Sequence, residues 1–149
     1  EELIEWIVEE SKNLKIQQPN NLNILDIGTG SGCIPISLKK ELPNAEVFTI
    51  DVSEKALEMA RKNAVDNEVG VNFMLKNILE TDSLVEKYDV IVSNPPYVRN
   101  LEKQEIKKNV LAYEPHLALF VDDFDALIFY RKIALLATKN LKQDGQLFF

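Results

Sequence analysis

The sequence predicts an α/β fold, a single parallel sheet of five strands covered by helices on both faces. Three observations carry this expectation. Apolar, β-branched runs of strand length recur at residues 22–27, 45–50, 71–75 and 88–92, with a fifth at 146–149. Segments of helical periodicity separate them, and that alternation calls for parallel strands joined by crossovers on both sides of the sheet. A glycine loop, Asp-Ile-Gly-Thr-Gly-Ser-Gly at 26–32, stands between the first strand and the helix after it. Right-handed crossovers then give the strand order 3-2-1-4-5, with a switch point between strands one and four.

The elements follow in order. Residues 2–15 place Leu3, Ile4, Ile7, Val8 and Leu14 at helical spacing with Glu5, Glu9 and Glu10 opposite, an amphipathic helix that covers the sheet. The polar connector 17–21, containing Pro19, delivers the chain to the first strand. After the glycine loop comes a helix over 33–41. The second strand ends at Asp51, and Ser53 with Glu54 supplies the N-cap and first-turn charge of a helix over 54–65. Strand three leads into a loop at 76–79. Strand four is stopped by Pro95 and Pro96, which cannot donate to a ladder and hand the chain to a rigid loop. Beyond it, 101–112 reads as a charged helical face carrying Glu102, Lys103, Glu105, Lys107 and Lys108, and 114–120 as an ordered loop. A helix from Asp122 to about Asn140 carries Leu127, Ile128, Ile133, Leu135 and Leu136, and Asp144-Gly145 turns the chain into the last strand.

Composition narrows the classes. At 149 residues and 17.0 kDa the chain fits one domain, spanning 1–149, and 46% apolar with 28% charged residues is ordinary for a globular protein. No apolar run approaches the roughly 18 residues of a membrane span, and no signal peptide is present. A cytoplasmic protein without a membrane partner is expected. The single cysteine, Cys33, excludes an internal disulfide. The net charge of −7, from 24 acidic and 17 basic residues, argues against a nucleic-acid partner gripped by its phosphates. The chain lacks an initiating Met, opens inside a helix and closes on Leu147-Phe148-Phe149 inside a strand, so it reads as a piece of a longer protein.

Two motifs carry chemistry. Glycines at 28, 30 and 32 permit a tight turn and close approach of a ligand to the backbone, and the helix start adds N–H groups and a positive dipole end. Their G-x-G-x-G spacing differs from the dinucleotide fingerprint, whose third glycine position falls on Cys33. With Asp26 two positions before Gly28, the loop resembles the first motif of Rossmann-like S-adenosylmethionine methyltransferases. Asp51, at the tip of the second strand, stands where such folds accept hydrogen bonds from ribose hydroxyls. On that resemblance Asn77 and Ile78, after the third strand, are candidates to meet the adenine, the alternative being a simple loop.

The second motif is Asn94-Pro95-Pro96-Tyr97. Its paired prolines preset outward-facing carbonyl acceptors, and the Asn94 amide and Tyr97 ring add an acceptor and a flat surface. Such a loop suits an NH2 group on a conjugated carbon, and two substrates qualify: a glutamine amide and the exocyclic amine of a nucleobase. A cofactor-binding module without activity is a third reading, against which the complete tetrapeptide argues. His116, the sole histidine, has no Cys, Ser or Asp at a motif spacing and reads as structural. No metal site is expected.

Together with Glu114-Pro115, Ala118-Leu119 and Phe129-Tyr130-Arg131-Lys132-Ile133, these motifs resemble the catalytic domain of the HemK/PrmC family of protein-(glutamine-N5) methyltransferases, across nearly the whole chain. Members methylate the glutamine in the Gly-Gly-Gln motif of class I peptide-chain release factors. The glycine loop points to methyltransferases at large, and the Asn-Pro-Pro-Tyr loop is shared with nucleobase enzymes. The Glu-Pro and Phe-Tyr-Arg segments tilt the resemblance to glutamine. It implies a Rossmann-like class I methyltransferase fold, truncated before the family's final strands and lacking its helical N-terminal domain. It also implies S-adenosylmethionine as cofactor, held by Asp26, Gly28, Thr29, Gly30, Ser31, Gly32, Asp51, Asn77, Ile78 and Asn94. The amide would be held by Asn94, Pro95, Pro96 and Tyr97, of which Asn94, Pro95 and Tyr97 would be catalytic. Asn77 departs from the Asp usual in the family, and residues 121–126 replace a commoner glycine-containing loop.

Overall fold

The computed structural model describes residues 2–17, 22–95 and 127–149, with side chains described over 2–12, 22–95 and 127–149. The helix expected over 101–112, the loop 114–120 with His116, the loop 121–126 and the pair Pro96-Tyr97 lie outside the described residues, as does most of the connector before the first strand.

Five parallel strands form one sheet in the order β3-β2-β1-β4-β5, as the crossover rule predicts. The strands are β1 (Asn23–Ile27), β2 (Glu46–Asp51), β3 (Asn72–Leu75), β4 (Tyr88–Ser93) and β5 (Leu141–Phe148). Helices α1 (Glu2–Gln17), α2 (Cys33–Glu41), α3 (Glu54–Asp66) and α4 (Ile128–Asn140) accompany them.

The central strands are buried on both faces, and their alternation sorts the core into two layers. Ile24, Val47, Val90 and Val92 meet Ile7 and Val8 of α1 and Leu38 of α2 on one face. Leu25, Ile27, Ile50 and Ile91 meet Ile133, Leu136 and Ala137 of α4 on the other. Each fully buried Ile or Leu contributes roughly 1.5–3 kcal/mol. Trp6 of α1 adds an edge-on contact to the Phe148 ring at 5.0 Å, tying the first helix to the last strand. Within α4 the buried face runs through Ile133, Leu136, Ala137 and Asn140, whereas Leu127, Ile128 and Leu135, expected on the apolar face, are exposed. The helical period decides this: those three fall off the stripe that meets the sheet.

The last strand begins earlier than expected. Tyr88 pairs with Leu141 and Val90 with Gln146, so residues 142–145 bulge out of the ladder. The expected turn at Asp144-Gly145 is this bulge, with Asp144 at φ +63°. The bulge carries Lys142 to the buried Asp89, whose Oδ2 accepts from Lys142 Nζ at 2.8 Å and from the Asn23 amide at 2.7 Å. One carboxylate thus joins β1, β4 and β5 at their amino ends, opposite the end where the loops converge.

Candidate functional site

At the carboxyl ends of β1, β2 and β4 the chain opens a cleft of about 390 Å³. It lies at the switch point, where open α/β sheets bind ligands, and its size falls in the usual range for small-molecule sites. Gly28, Gly30, Asp51, Asn77, Ile78, Asn94 and Pro95 line it, so two motifs distant in sequence share one cleft. A groove of about 680 Å³ between α1 and α2 is larger, but its charged residues, Glu5, Glu9, Lys12 and Lys40 among them, carry no convergent motif.

The last three residues of β2 clasp the glycine loop. Gly28 and Thr29 donate their amides to the Ile50 carbonyl at 2.8 and 3.2 Å. Gly30 N donates to Asp51 Oδ2 at 3.0 Å, and Ser53 N donates to Asp51 Oδ1 at 2.8 Å. A carboxylate has about four lone-pair sites, so each Asp51 oxygen retains acceptor capacity toward the cleft it lines. That set fits a vicinal pair of hydroxyls. Beneath the loop, Thr49 Oγ1 donates to Asp26 Oδ2 at 2.6 Å and shares a second 2.6 Å bond with Thr29 Oγ1.

The glycines divide by role. Gly28 and Gly30, at φ +91° and +52°, have nothing within 4 Å of a built Cβ, so a ligand has room at both backbones. Gly32, at φ +84°, would place a Cβ 3.0 Å from the Cβ of Ala60 and 3.0 Å from Ile36 Cδ1. Its role here is to let α2 start against α3. Ser31 ties the same junction, its carbonyl accepting from Asn63 Nδ2 at 2.9 Å. Asp26, Thr29, Ser31 and Gly32 are not among the described residues that line the cleft.

Asp26 is fully buried, and its Oδ1 has no hydrogen-bond partner among the described residues. Burial pushes its carboxyl up to about 7; the Thr49 hydroxyl opposes this, and the charge of Asp51 adds to it. Asp26 therefore reaches the cleft through the loop above it and through the charge of Asp51, which lines the cleft.

Asn77 caps a 3-10 turn, Ile78–Glu80, its Oδ1 accepting from Leu79 N at 3.1 Å. That bond fixes the amide's orientation and leaves Nδ2 as the donor. In the same cleft Asn94 is exposed and Pro95 buried. Ser93 Oγ donates to the Ile27 carbonyl at 2.7 Å, holding the end of β4 against β1. Ser93, Val52, Lys76, Phe129 and Ile133 also line the cleft, and sequence reasoning had not placed them there. Phe129 and Ile133 sit one helical turn apart, so the sequence puts them on one face. Which face meets the cleft is decided by how α4 packs. Among the described residues, no group of His, Cys, Asp or Glu could hold a metal ion, and no helix is long and apolar enough to cross a membrane.

The "Methyltransferase small domain" family model matches residues 11–117. The release factor glutamine methyltransferase of Flavobacterium psychrophilum is 68% identical over 149 residues, covering 100% of this chain and 52% of that protein. Its counterpart from Bacteroides thetaiotaomicron is 48% identical, covering 99% of this chain and 51% of that protein. The chain thus spans about half the length of these curated relatives. Among solved structures, a ribosomal protein L11 methylase from Lactobacillus delbrueckii subsp. bulgaricus superposes with a TM-score of 0.60 at 23% identity, over 98% of this chain and 57% of that one. TrmN from Thermus thermophilus gives 0.60 at 20% identity, over 91% of this chain and 35% of that one. At those identities the likeness concerns the fold.

Proposed function

The chain belongs to the methyltransferase small-domain family, and on that premise we propose that its cleft binds S-adenosylmethionine and methylates the side-chain amide of a protein glutamine. The acceptor is the Gly-Gly-Gln glutamine of a class I peptide-chain release factor, in the cytoplasm. One observation carries the reading: Asn94 and Pro95 line the same cleft as Gly28, Gly30 and Asp51. The name shared by the relatives from F. psychrophilum and B. thetaiotaomicron supports the choice of glutamine.

The donor set suits the cofactor. Asp51 takes the ribose hydroxyls, Gly28 and Gly30 give it room at the backbone, Asn77 offers Nδ2 to an acceptor on the adenine edge, and Ile78 supplies an apolar face. S-adenosylmethionine held there supplies an electrophilic methyl group. Asp26, Thr29, Ser31 and Gly32 contribute by shaping the loop.

The chain's own part is to prepare the amide. An amide nitrogen is a poor nucleophile because its lone pair is delocalised into the carbonyl. The side-chain oxygen of Asn94 and the carbonyl of Pro95 accept its two N–H bonds, which fixes the nitrogen and turns its lone pair into the cleft. The parts the sequence assigns to Pro96 and Tyr97, a rigid loop and a stacking ring, concern residues outside those described. Positioning and electrostatics supply the rate. No side chain has to remove a proton first, because the nitrogen sheds it to water after the methyl is in place.

The test offers S-adenosylmethionine labelled in its methyl group to the full-length protein with a release factor, with RNA, with DNA, and alone. Label in the release factor, lost when its Gly-Gly-Gln glutamine is replaced, supports the reading. Label in nucleic acid alone would overturn it.

A further inference from the structure

We infer that Thr49 is a positioning residue of the cofactor loop, its hydroxyl linking the buried Asp26 carboxyl to Thr29 and holding the glycine loop in its binding conformation. The inference rests on the cofactor reading above and extends it to a residue outside both motifs. Asp26 and Thr49 are paired neighbours on β1 and β2, so their side chains project to the same face of the sheet. Both are 0% exposed and Thr29 is 5% exposed, so all three hydroxyl and carboxyl groups depend on one another for hydrogen bonds.

Donor arithmetic sets the direction of the chain. Thr49 has one O–H, and it donates to Asp26 Oδ2 at 2.6 Å. The 2.6 Å bond between the two threonines must then be donated by Thr29. The polarity therefore runs from Thr29 through Thr49 to the carboxyl, and the Thr29 rotamer is locked by it. Thr29 lies between the two glycines that line the cleft, and its carbonyl accepts from Gly32 N at 2.8 Å to close the turn. The Ile50 carbonyl, accepting from Gly28 N and Thr29 N, and the Asp51 carboxylate, accepting from Gly30 N, hold the rim of the loop. Among the described residues, Thr49 is the side chain that joins Thr29 to Asp26.

Thr49→Val keeps the side chain's shape and removes the hydroxyl, whereas Thr49→Ser keeps the hydroxyl. Titration calorimetry with S-adenosylmethionine, on the full-length protein well below its unfolding temperature, should show Thr49→Val binding about tenfold more weakly, the size of one buried hydrogen bond. Thr49→Ser should stay within about threefold of wild type. A double variant with Thr29→Val should lose no more affinity than Thr49→Val alone, because both act through one chain. In the ligand-free protein, Thr49→Val should speed hydrogen exchange at the Gly28 and Gly30 amides. Wild-type affinity in Thr49→Val, an equal loss in Thr49→Ser, or additive losses in the double variant would overturn the inference. If the wild type takes up no S-adenosylmethionine, the cofactor reading fails, and amide exchange decides the role of Thr49 separately: unchanged rates at Gly28 and Gly30 reject it. If Thr49→Val does not fold, the comparison of Thr29→Val with Thr29→Ser decides by the same criteria.

Discussion

Replacing Asp26 by Asn should abolish a specific part of the protein's pH dependence. An ordinary Asp titrates near 3.8, and this one is raised to about 7 chiefly by burial. At 1.36 kcal/mol per tenfold, ionising it in the folded protein costs about 4 kcal/mol more than in the unfolded chain. The folded state binds the extra proton between those two values. Stability is therefore fully present below about pH 4, falls as pH rises toward 7 and is flat beyond it. Between pH 5 and pH 8 the loss assigned to Asp26 is roughly 2–3 kcal/mol. Asn is isosteric and cannot ionise; its Oδ1 accepts from Thr49, and its NH2 group falls where Oδ1 has no partner. That unsatisfied donor costs roughly 1–3 kcal/mol at every pH, so the diagnostic is the slope and not the absolute value. Urea unfolding of wild type and Asp26→Asn at pH 5, 6, 7 and 8 isolates the term, because titrating groups not coupled to Asp26 cancel in the difference. The variant should gain on wild type by roughly 2–3 kcal/mol across that range. Parallel curves would refute the buried, proton-holding Asp26.

Two further substitutions separate architecture from binding. Gly32→Ala meets a left-handed φ and the 3.0 Å approach to Ala60, so it should cost roughly 1–3 kcal/mol and lower Tm by several degrees; Gly28→Ala carries the same left-handed φ penalty but has open space at its Cβ, so it should cost less stability than Gly32→Ala and also weaken cofactor binding, as calorimetry alongside melting would reveal. Asp51→Ala removes the carboxylate that accepts from Gly30 and Ser53, and its affinity for S-adenosylmethionine should fall roughly 100-fold, the loss of two hydrogen bonds to a charged group; normal affinity would exclude the ribose assignment.

The strand order was legible because β-branched runs alternate with helical segments and crossovers have one hand. The cleft was legible for the same reason: topology brings Gly28 and Asn94 together whatever the side-chain detail. Less visible was the division of labour within the loop. Nothing in Gly-Thr-Gly-Ser-Gly separates Gly28, which is open, from Gly32, which is pressed against Ala60, because the difference arises from α3. Asp26 reads as a binding residue by position, yet strand alternation buries it against Thr49, a residue that belongs to no motif. The bulge in β5 was foreshadowed by Asp144-Gly145, but its purpose, delivering Lys142 to Asp89, is a tertiary fact. Phe129 and Ile133 reach the cleft because α4 packs that face down, which its apolar spacing alone does not specify.

The claim that the loop at Asn94 grips the amide which receives the methyl group is tested most directly by Asn94→Ala in the full-length protein, assayed with a release factor. In that variant kcat should fall by roughly 100-fold or more, with calorimetric affinity for S-adenosylmethionine changed far less, as for a contact realised in the transition state. An unchanged kcat would contradict it.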